Sequence, residues 1–176
     1  MKKLFVILLV ALCSACAKDH SVPPANLVYL SVVREEDFDV YDIRYTSDVD
    51  ALDLFGKGDR EGIASAQLQC ALGEDQDFSV GHFQRNSAYG LLERDQLNKD
   101  APRYNYVTSA FLRKTKSNGS SEGDLSVAEL NALLSNRISV PCKVIITAYG
   151  YNAYYSNTLH IPTTDLLREI NKPKSN

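Results

Sequence analysis

Two cysteines, Cys70 and Cys142, put the first constraint on what this chain can fold into. Each lies in a stretch that alternates as a strand does. From Ala64 to Leu72, Ala66, Leu68 and Cys70 share one side while Ser65, Gln67 and Gln69 share the other. From Val140 to Tyr149, Cys142, Val144, Ile146 and Ala148 share one face. Both thiols therefore turn toward the apolar side, where a bridge can join two strands distant in sequence. Such a bridge closes a loop of roughly 70 residues and contributes about 4 kcal/mol in the chain-entropy account. The alternative is two separate buried thiols. Neither cysteine belongs to a C-x-x-C motif, so redox catalysis is not implied.

Whether the bridge forms depends on the compartment, and the first twenty residues bear on that. They read MKKLFVILLVALCSACAKDH. Lys2 and Lys3 precede an apolar run from Leu4 to Leu12, and small residues and cysteines follow at Cys13-Ser14-Ala15-Cys16. That order is expected of an export signal. The apolar run is about half the roughly 20 residues a membrane-spanning helix needs, so cleavage is expected rather than anchoring by a helix. Cys13-Ser14-Ala15-Cys16 resembles the lipobox of bacterial lipoproteins, which implies lipidation of Cys16. Cys13 stands where that family usually has Leu. Ala15-Cys16-Ala17 also fits an A-x-A cleavage site, which would remove Cys16 with the signal. Ala17, rather than Asp, follows the candidate lipid site, and by the same resemblance this implies delivery to the periplasmic face of the outer membrane. Either cleavage leaves Cys70 and Cys142 as a matched pair in an oxidising space.

The expected organisation follows. Residues 1–17 form the signal, 18–26 a polar tether with Pro23-Pro24, 27–172 one β-rich globular domain, and 173–176 a frayed tail. Strands are expected at Leu27–Val33, Val40–Thr46, Ala64–Leu72, Phe78–Phe83, Ala88–Leu92, Tyr104–Arg113, Val140–Tyr149 and Ala153–Ile161. The last two should pair as a hairpin through Gly150-Tyr151-Asn152. Asp48–Arg60, with Gly56 and Gly58, reads as a turn-rich loop. A helix is expected at Asp124–Asn136, with Ser126 and Glu129 forming a capping box. A second, Asp165–Asn171, would be capped by Thr164. This is the pattern of a mainly β fold, an antiparallel sandwich-like domain with one or two short helices; an α+β arrangement is the alternative.

Composition narrows the function classes. The chain is 44% hydrophobic and 23% charged, which suits a folded globule rather than a disordered one. Loss of Lys2 and Lys3 would take the formal charge from −3 to −5. An acidic protein of this kind is a poor nucleic-acid binder, and no nucleic-acid partner is expected. There is no G-x-S-x-G elbow and no phosphate-binding glycine loop. Gly123-Asp124-Leu125-Ser126 only permutes a Gly-Asp-Ser-Leu block found in esterases, and Ser126 is better used as a cap. His20, His82 and His160 have no metal-type spacing. A non-enzymatic protein without a cofactor is the expectation.

Two stretches carry binding chemistry. Asn118 to Glu129 resembles a twelve-residue EF-hand loop, which implies Asn118, Ser120, Glu122, Asp124 and Glu129 as calcium ligands, with Gly123 at the sharp turn. The segment also reads as a polar turn feeding a capped helix. Asp48, Asp50, Asp53 and Asp59 could gather a hard cation or form an acidic loop. The other stretch is Tyr149-Gly150-Tyr151-Asn152-Ala153-Tyr154-Tyr155, followed by Ser156 and Asn157. Tyr offers rigid contact area with a polar tip, and Gly, Ser and Asn add adaptable hydrogen bonding, as in recognition loops. Tyr149, Tyr151, Asn152, Tyr154 and Tyr155 are thus the candidate partner-binding residues, with Tyr151 and Tyr154 expected to point outward. Cross-strand packing of the tyrosines is the other reading.

The signal end at Leu12–Cys16, the chain size and the Tyr-rich strand running into Ser156-Asn157-Thr158-Leu159-His160-Ile161-Pro162 before a short terminal helix resemble small enterobacterial periplasmic lipoproteins. Some of these act as immunity proteins against type VI secretion effectors. The resemblance implies a membrane-anchored protein that binds and blocks a toxin in the periplasm. The rival expectations are an envelope structural or assembly lipoprotein, and a periplasmic ligand- or calcium-binding protein.

Overall fold

The computed structural model describes residues 17–36, 38–96 and 103–173. Expectations on the signal and on Cys16, and on residues 174–176 of the tail, lie outside them. Ten strands occur among the described residues: β1 Leu27–Arg34, β2 Val40–Ser47, β3 Ile63–Ala71, β4 Asn86–Leu91, β5 Glu93–Arg94, β6 Tyr104–Thr115, β7 Ser121–Asp124, β8 Ser139–Ala148, β9 Tyr154–Tyr155 and β10 Leu159–Pro162. Helix α1 is Val127–Leu134 and helix α2 is Thr163–Ile170. The fold is mainly β, and every strand pairing is antiparallel.

The strands make one sheet in the order β1-β2-β6-β4-β3-β8-β10, with β5 and β7 added to β6 and β9 to β8. The sheet curls until β1 and β10, its two ends, touch, and α2 packs against both. The expected sandwich is thus a single sheet turned on itself around one core. Tyr41, Ile43 and Tyr45 of β2, Leu68 of β3, Tyr106 and Leu112 of β6, and Val144 and Ile146 of β8 point into it, joined by Leu130, Leu134, Leu166 and Ile170 of the helices. The alternation that produced these strands is what fills the interior. A one-residue slip would turn every one of these side chains outward.

Cys70 and Cys142 are bonded as a disulfide and directly opposed in the β3–β8 register, with Cα atoms 4.0 Å apart. The bridge staples two neighbouring strands of the sheet across 72 residues of sequence.

Arg34 ties the end of β1 to the C-terminal end of α2. This nearly buried side chain donates from Nη1 to the Ile170 carbonyl at 3.2 Å and from Nη2 to the Lys172 and Pro173 carbonyls at 2.6 and 3.1 Å. A cation at a helix C-terminus satisfies the orphan carbonyls and meets the negative end of the dipole. Pro173 is therefore held in place, although it had been expected in the frayed tail. Glu169, buried beside it, accepts from the Arg34 backbone N–H at 3.2 Å. Burial alone would raise its pKa, but Lys172, the Arg34 amide and Arg168 hold the carboxyl below its usual value.

Several expected boundaries move, each for a local reason. Phe78–Phe83 is not a strand. Asp75 and Asp77 accept from the backbone N–H groups of Asp77 and Ser79, two residues on in each case, and Gly81 has φ +91°. These turns break the extension and fold Gly73–Arg85 into a loop. α1 begins at Val127 instead of Asp124, because Ser121–Asp124 pairs with β6. Its capping box is present, with Ser126 and Glu129 exchanging bonds. α2 is not capped by Thr164: its N-cap is Pro162, and the Thr163 N–H is met by the Ile138 carbonyl at 3.0 Å. The last hairpin forms as expected, but its return strand splits at Ser156–Thr158, where Asn157 N–H turns to the Ala25 carbonyl at 2.9 Å.

Candidate binding face and loop-covered cavity

The outward side of the sheet presents a different set of residues from the core. Register places Tyr155, Ile145, Gln67 and Leu91 side by side across β9, β8, β3 and β4, and Lys143, Gln69, Tyr89 and Phe111 in the neighbouring row. Leu91 is 57% exposed. Around it lies a shallow depression lined by Gln67, Tyr89, Leu91, Glu93, Ser109 and Phe111. The Arg113 guanidinium stacks 4.7 Å over the Phe111 ring, donates to the Tyr89 hydroxyl at 3.3 Å and pairs with Asp124 at 3.0 Å. These contacts tether the Phe111 ring, which is 37% exposed, and the hydroxyl of the partly buried Tyr89.

Beside this depression, the Gly73–Arg85 loop lies over the outward side of β3, β4 and β8. It is pinned at several points. Arg137 Nη1 donates to the Leu72 and Gly73 carbonyls at 2.8 and 2.7 Å. Gln84, only 2% exposed, donates to the Asp77 carbonyl and accepts from Gln69, both at 3.2 Å. Val80 N–H donates to the Tyr155 hydroxyl at 3.1 Å. The Phe83 ring rests on Gly119, where a Cβ would come within 2.6 Å of it. His82 Nε2 lies 2.7 Å from Asp75, and Nδ1 3.8 Å from Asp77. The bond to Asp75 raises the His82 pKa and lowers that of Asp75.

The tyrosine-rich hairpin divides into parts with different tasks. Tyr149 is 91% exposed and follows Ile145 and Thr147 in the outward alternation of β8. Tyr155 holds the covering loop. Tyr154, expected outward, is 4% exposed: its hydroxyl donates to the Pro23 carbonyl and accepts from Ala25 N–H, both at 2.8 Å. Tyr151, also expected outward, is half-buried: it stacks on His20 at 5.3 Å and meets the tilted Phe55 ring at 4.9 Å. Asn152 donates to Asp19 at 2.7 Å. The reason is the segment Lys18–Asn26. Expected as a tether, it is docked along the hairpin, with Lys18 N–H on the Gly150 carbonyl and Asn152 N–H on the Lys18 carbonyl, both at 2.9 Å. Its prolines and His20 occupy the surfaces that Tyr151 and Tyr154 would otherwise show.

The residues expected to bind calcium do not converge. Asn118 Oδ1 accepts from Ser120 N–H and Oγ, and Glu122 lies in β7. Asp124 pairs with Arg113. Glu129 pairs with Lys114 at 2.6 Å and caps α1, and the Lys114 contact foremost brings its pKa to about 2. An extended β7 replaces the coil a calcium loop needs. The acidic residues of the 48–60 loop are likewise engaged: Asp48 by Asn26, Asp53 by the Lys57 and Gly58 amides, and Asp50 and Asp59 by Arg94. Among the described residues, no group of three or more His, Cys, Asp or Glu side chains is placed to hold a metal ion.

Sequence reasoning missed the outward group of Leu91, Phe111 and Tyr89. Leu91 and Phe111 stand out of phase with the core residues of their strands, and that was the available signal. No family model, curated protein or solved structure matches this chain.

Proposed function

We propose that this chain is an exported, lipid-anchored envelope protein with no catalytic role of its own, which binds a protein toxin in the periplasm and blocks it. Cys16 would carry the anchor, at the periplasmic face of the outer membrane. The observation that carries the reading is the outward depression around Leu91 and Phe111. Apolar and aromatic groups set beside polar ones are what a protein interface uses at its centre. Arg113, fixed on Phe111, adds the residue type most often found with aromatics at such centres. Tyr149 extends the contact along β8. The acidic balance of the chain favours a basic partner and speeds encounter with it. The resemblance to small periplasmic lipoproteins, some of them immunity proteins, supplies the toxin as partner class.

The test is protection. Cells expressing the protein should survive periplasmic delivery of a toxin encoded beside its gene, and the two should co-purify. Leu91→Asp and Phe111→Asp should each abolish both effects while the melting temperature is kept. No complex with any such toxin, and no protection, would sink the reading. Association with resident outer-membrane machinery through the same face would instead support an assembly lipoprotein.

A further inference from the structure

Under the Gly73–Arg85 loop lies a cavity of about 320 Å³. That is the lower end of the roughly 300–1,000 Å³ typical of small-molecule sites. Its floor is the outward side of the sheet, including Gln67, Gln69, Ser87 and Thr147, and Phe78 and Phe83 stand in its wall.

The polar floor is neutral and has unused hydrogen-bonding capacity. Ser87 is 4% exposed, yet its hydroxyl bonds to no protein group among the described residues. The side chains of Gln67 and Thr147 are also without a protein partner among them. Gln69 is held in position through its bond to Gln84. Amides and hydroxyls both donate and accept, so together they match a ligand that does the same at many points. No Lys or Arg lines the cavity, so nothing there selects a phosphate or carboxylate. His82 is the one imidazole of the lining, beside the Tyr89 phenol, and its two nitrogens face Asp75 and Asp77, which offset its charge. The rings of Phe78, Phe83 and Tyr89 supply flat apolar faces next to these groups.

A ligand with hydroxyls around its edge and C–H bonds on its faces fits this combination. We propose that the cavity is a binding site for a neutral saccharide of about mono- or disaccharide size. Ring hydroxyls meet Gln67, Ser87 and Thr147, and a ring face lies on Phe83. The site adjoins the depression around Leu91 and shares Gln67 and Tyr89 with it, but it does not rest on the toxin-binding reading.

The test is a titration of the isotope-labelled protein, followed by amide NMR. The probes are maltose, cellobiose and N,N′-diacetylchitobiose, with glucuronate and glucose 6-phosphate as charged counterparts. At least one neutral disaccharide should give saturable shifts confined to residues 65–69 and 78–87, with the charged sugars weaker. Gln67→Leu and Phe83→Ala should each weaken binding at least about tenfold, as expected when one polar or stacking contact is lost. Thr147→Trp should fill the cavity and abolish binding. All three side chains lie on the outward side or in the loop, and a dispersed spectrum verifies the fold of each variant. Tyr149→Ser, at an exposed residue outside the cavity lining, should bind the sugar as the parent does. Co-sedimentation with purified cell-wall sacculi would assign a polymeric glycan as the source, and its absence alongside disaccharide binding a free sugar. No saturable shift with any of the three neutral probes would overturn the proposal. So would tighter binding of the charged sugars, or unchanged binding by folded Gln67→Leu and Thr147→Trp.

Discussion

On the same strands, neighbouring residues meet opposite surroundings. On β6, Tyr106, Thr108 and Ala110 are buried, while Phe111 beside them is exposed. On β3, Leu68 is enclosed and Gln67 next to it lines an open depression and a cavity. Inward, even polar atoms are committed: the Tyr45 hydroxyl is bonded to Thr108 at 3.1 Å, and the Tyr106 hydroxyl donates to Asp50 at 3.0 Å and accepts from Ala51 N–H at 2.9 Å. Outward, Leu91 has no cover and Gln67 no partner among the described residues. Since backbone and strand type are shared, the contrast lies in the surroundings alone. The inward side determines whether the chain folds. The outward side is free to vary without altering the fold, which is what a recognition surface requires.

The contrast is tested most severely at Gly90, which is paired with the inward Leu68 near the end of β4. An added Cβ would sit 2.3 Å from the Ser109 carbonyl oxygen and 2.8 Å from the Thr108 methyl. One of these contacts is backbone, so the strands must part. Gly90→Ala should cost at least about 3 kcal/mol in urea unfolding, or prevent folding. A cost near zero would show that the inner side is less tightly determined than its packing indicates. Next in size is the disulfide. Cys70→Ala with Cys142→Ala, or reduction of the parent, should lower stability by about 4 kcal/mol. Reduction without effect would mean the register of β3 on β8 is set by the core alone. Arg34→Met should cost about 2 kcal/mol by freeing the carbonyls at the end of α2. Hydrogen exchange should quicken first in α2, where the sheet's two ends meet.

On the outward side, Leu91→Ser and Phe111→Ser should each change stability by less than about 1 kcal/mol. A loss comparable to the inward variants would break the comparison and give these side chains a structural role instead.

The sequence is unequally informative about the two sides, for a physical reason. Inward residues repeat with period two because every strand faces the same core, and that repetition made β2, β3, β6 and β8 legible, Cys70 and Cys142 among them. The capping box at Ser126 and Glu129 was legible because its partners are three residues apart. Long-range contacts leave no such local trace. Nothing near Tyr154 announces that Pro23 and Ala25 would take its hydroxyl. The 73–85 loop is a different case: Asp75, Asp77 and Gly81 are local turn signals, and the apolar residues Phe78, Val80 and Phe83 outweighed them in the reading of a strand. In the tyrosine hairpin, Tyr151, Asn152 and Tyr154 meet the chain's own Lys18–Asn26, while Tyr149 stays exposed.

The smallest expected effect concerns the covering loop and depends on pH. His82 is exposed and its pKa is raised above the ordinary 6.5 by its bond to Asp75. The folded loop binds the proton more tightly than the unfolded chain does. The stabilisation is therefore complete below pH 6.5 and fades as pH rises through the higher folded value. Asp75 and Asp77 have depressed pKa values, so their contribution runs the opposite way. It is present above the carboxylate range and is lost as pH falls through it. Loop order should therefore be greatest in mildly acidic solution, between the two transitions. Amide exchange at residues 78–84, compared with the core strands as pH is raised from 6 to 9, checks this after correction for intrinsic exchange. Protection in the loop should fall while that of β3 and β8 stays level, and Asp75→Asn should flatten the dependence. If loop and core lost protection together, the loop would belong to the cooperative unit of the inward side, and the division between the two faces would have to be redrawn to include it.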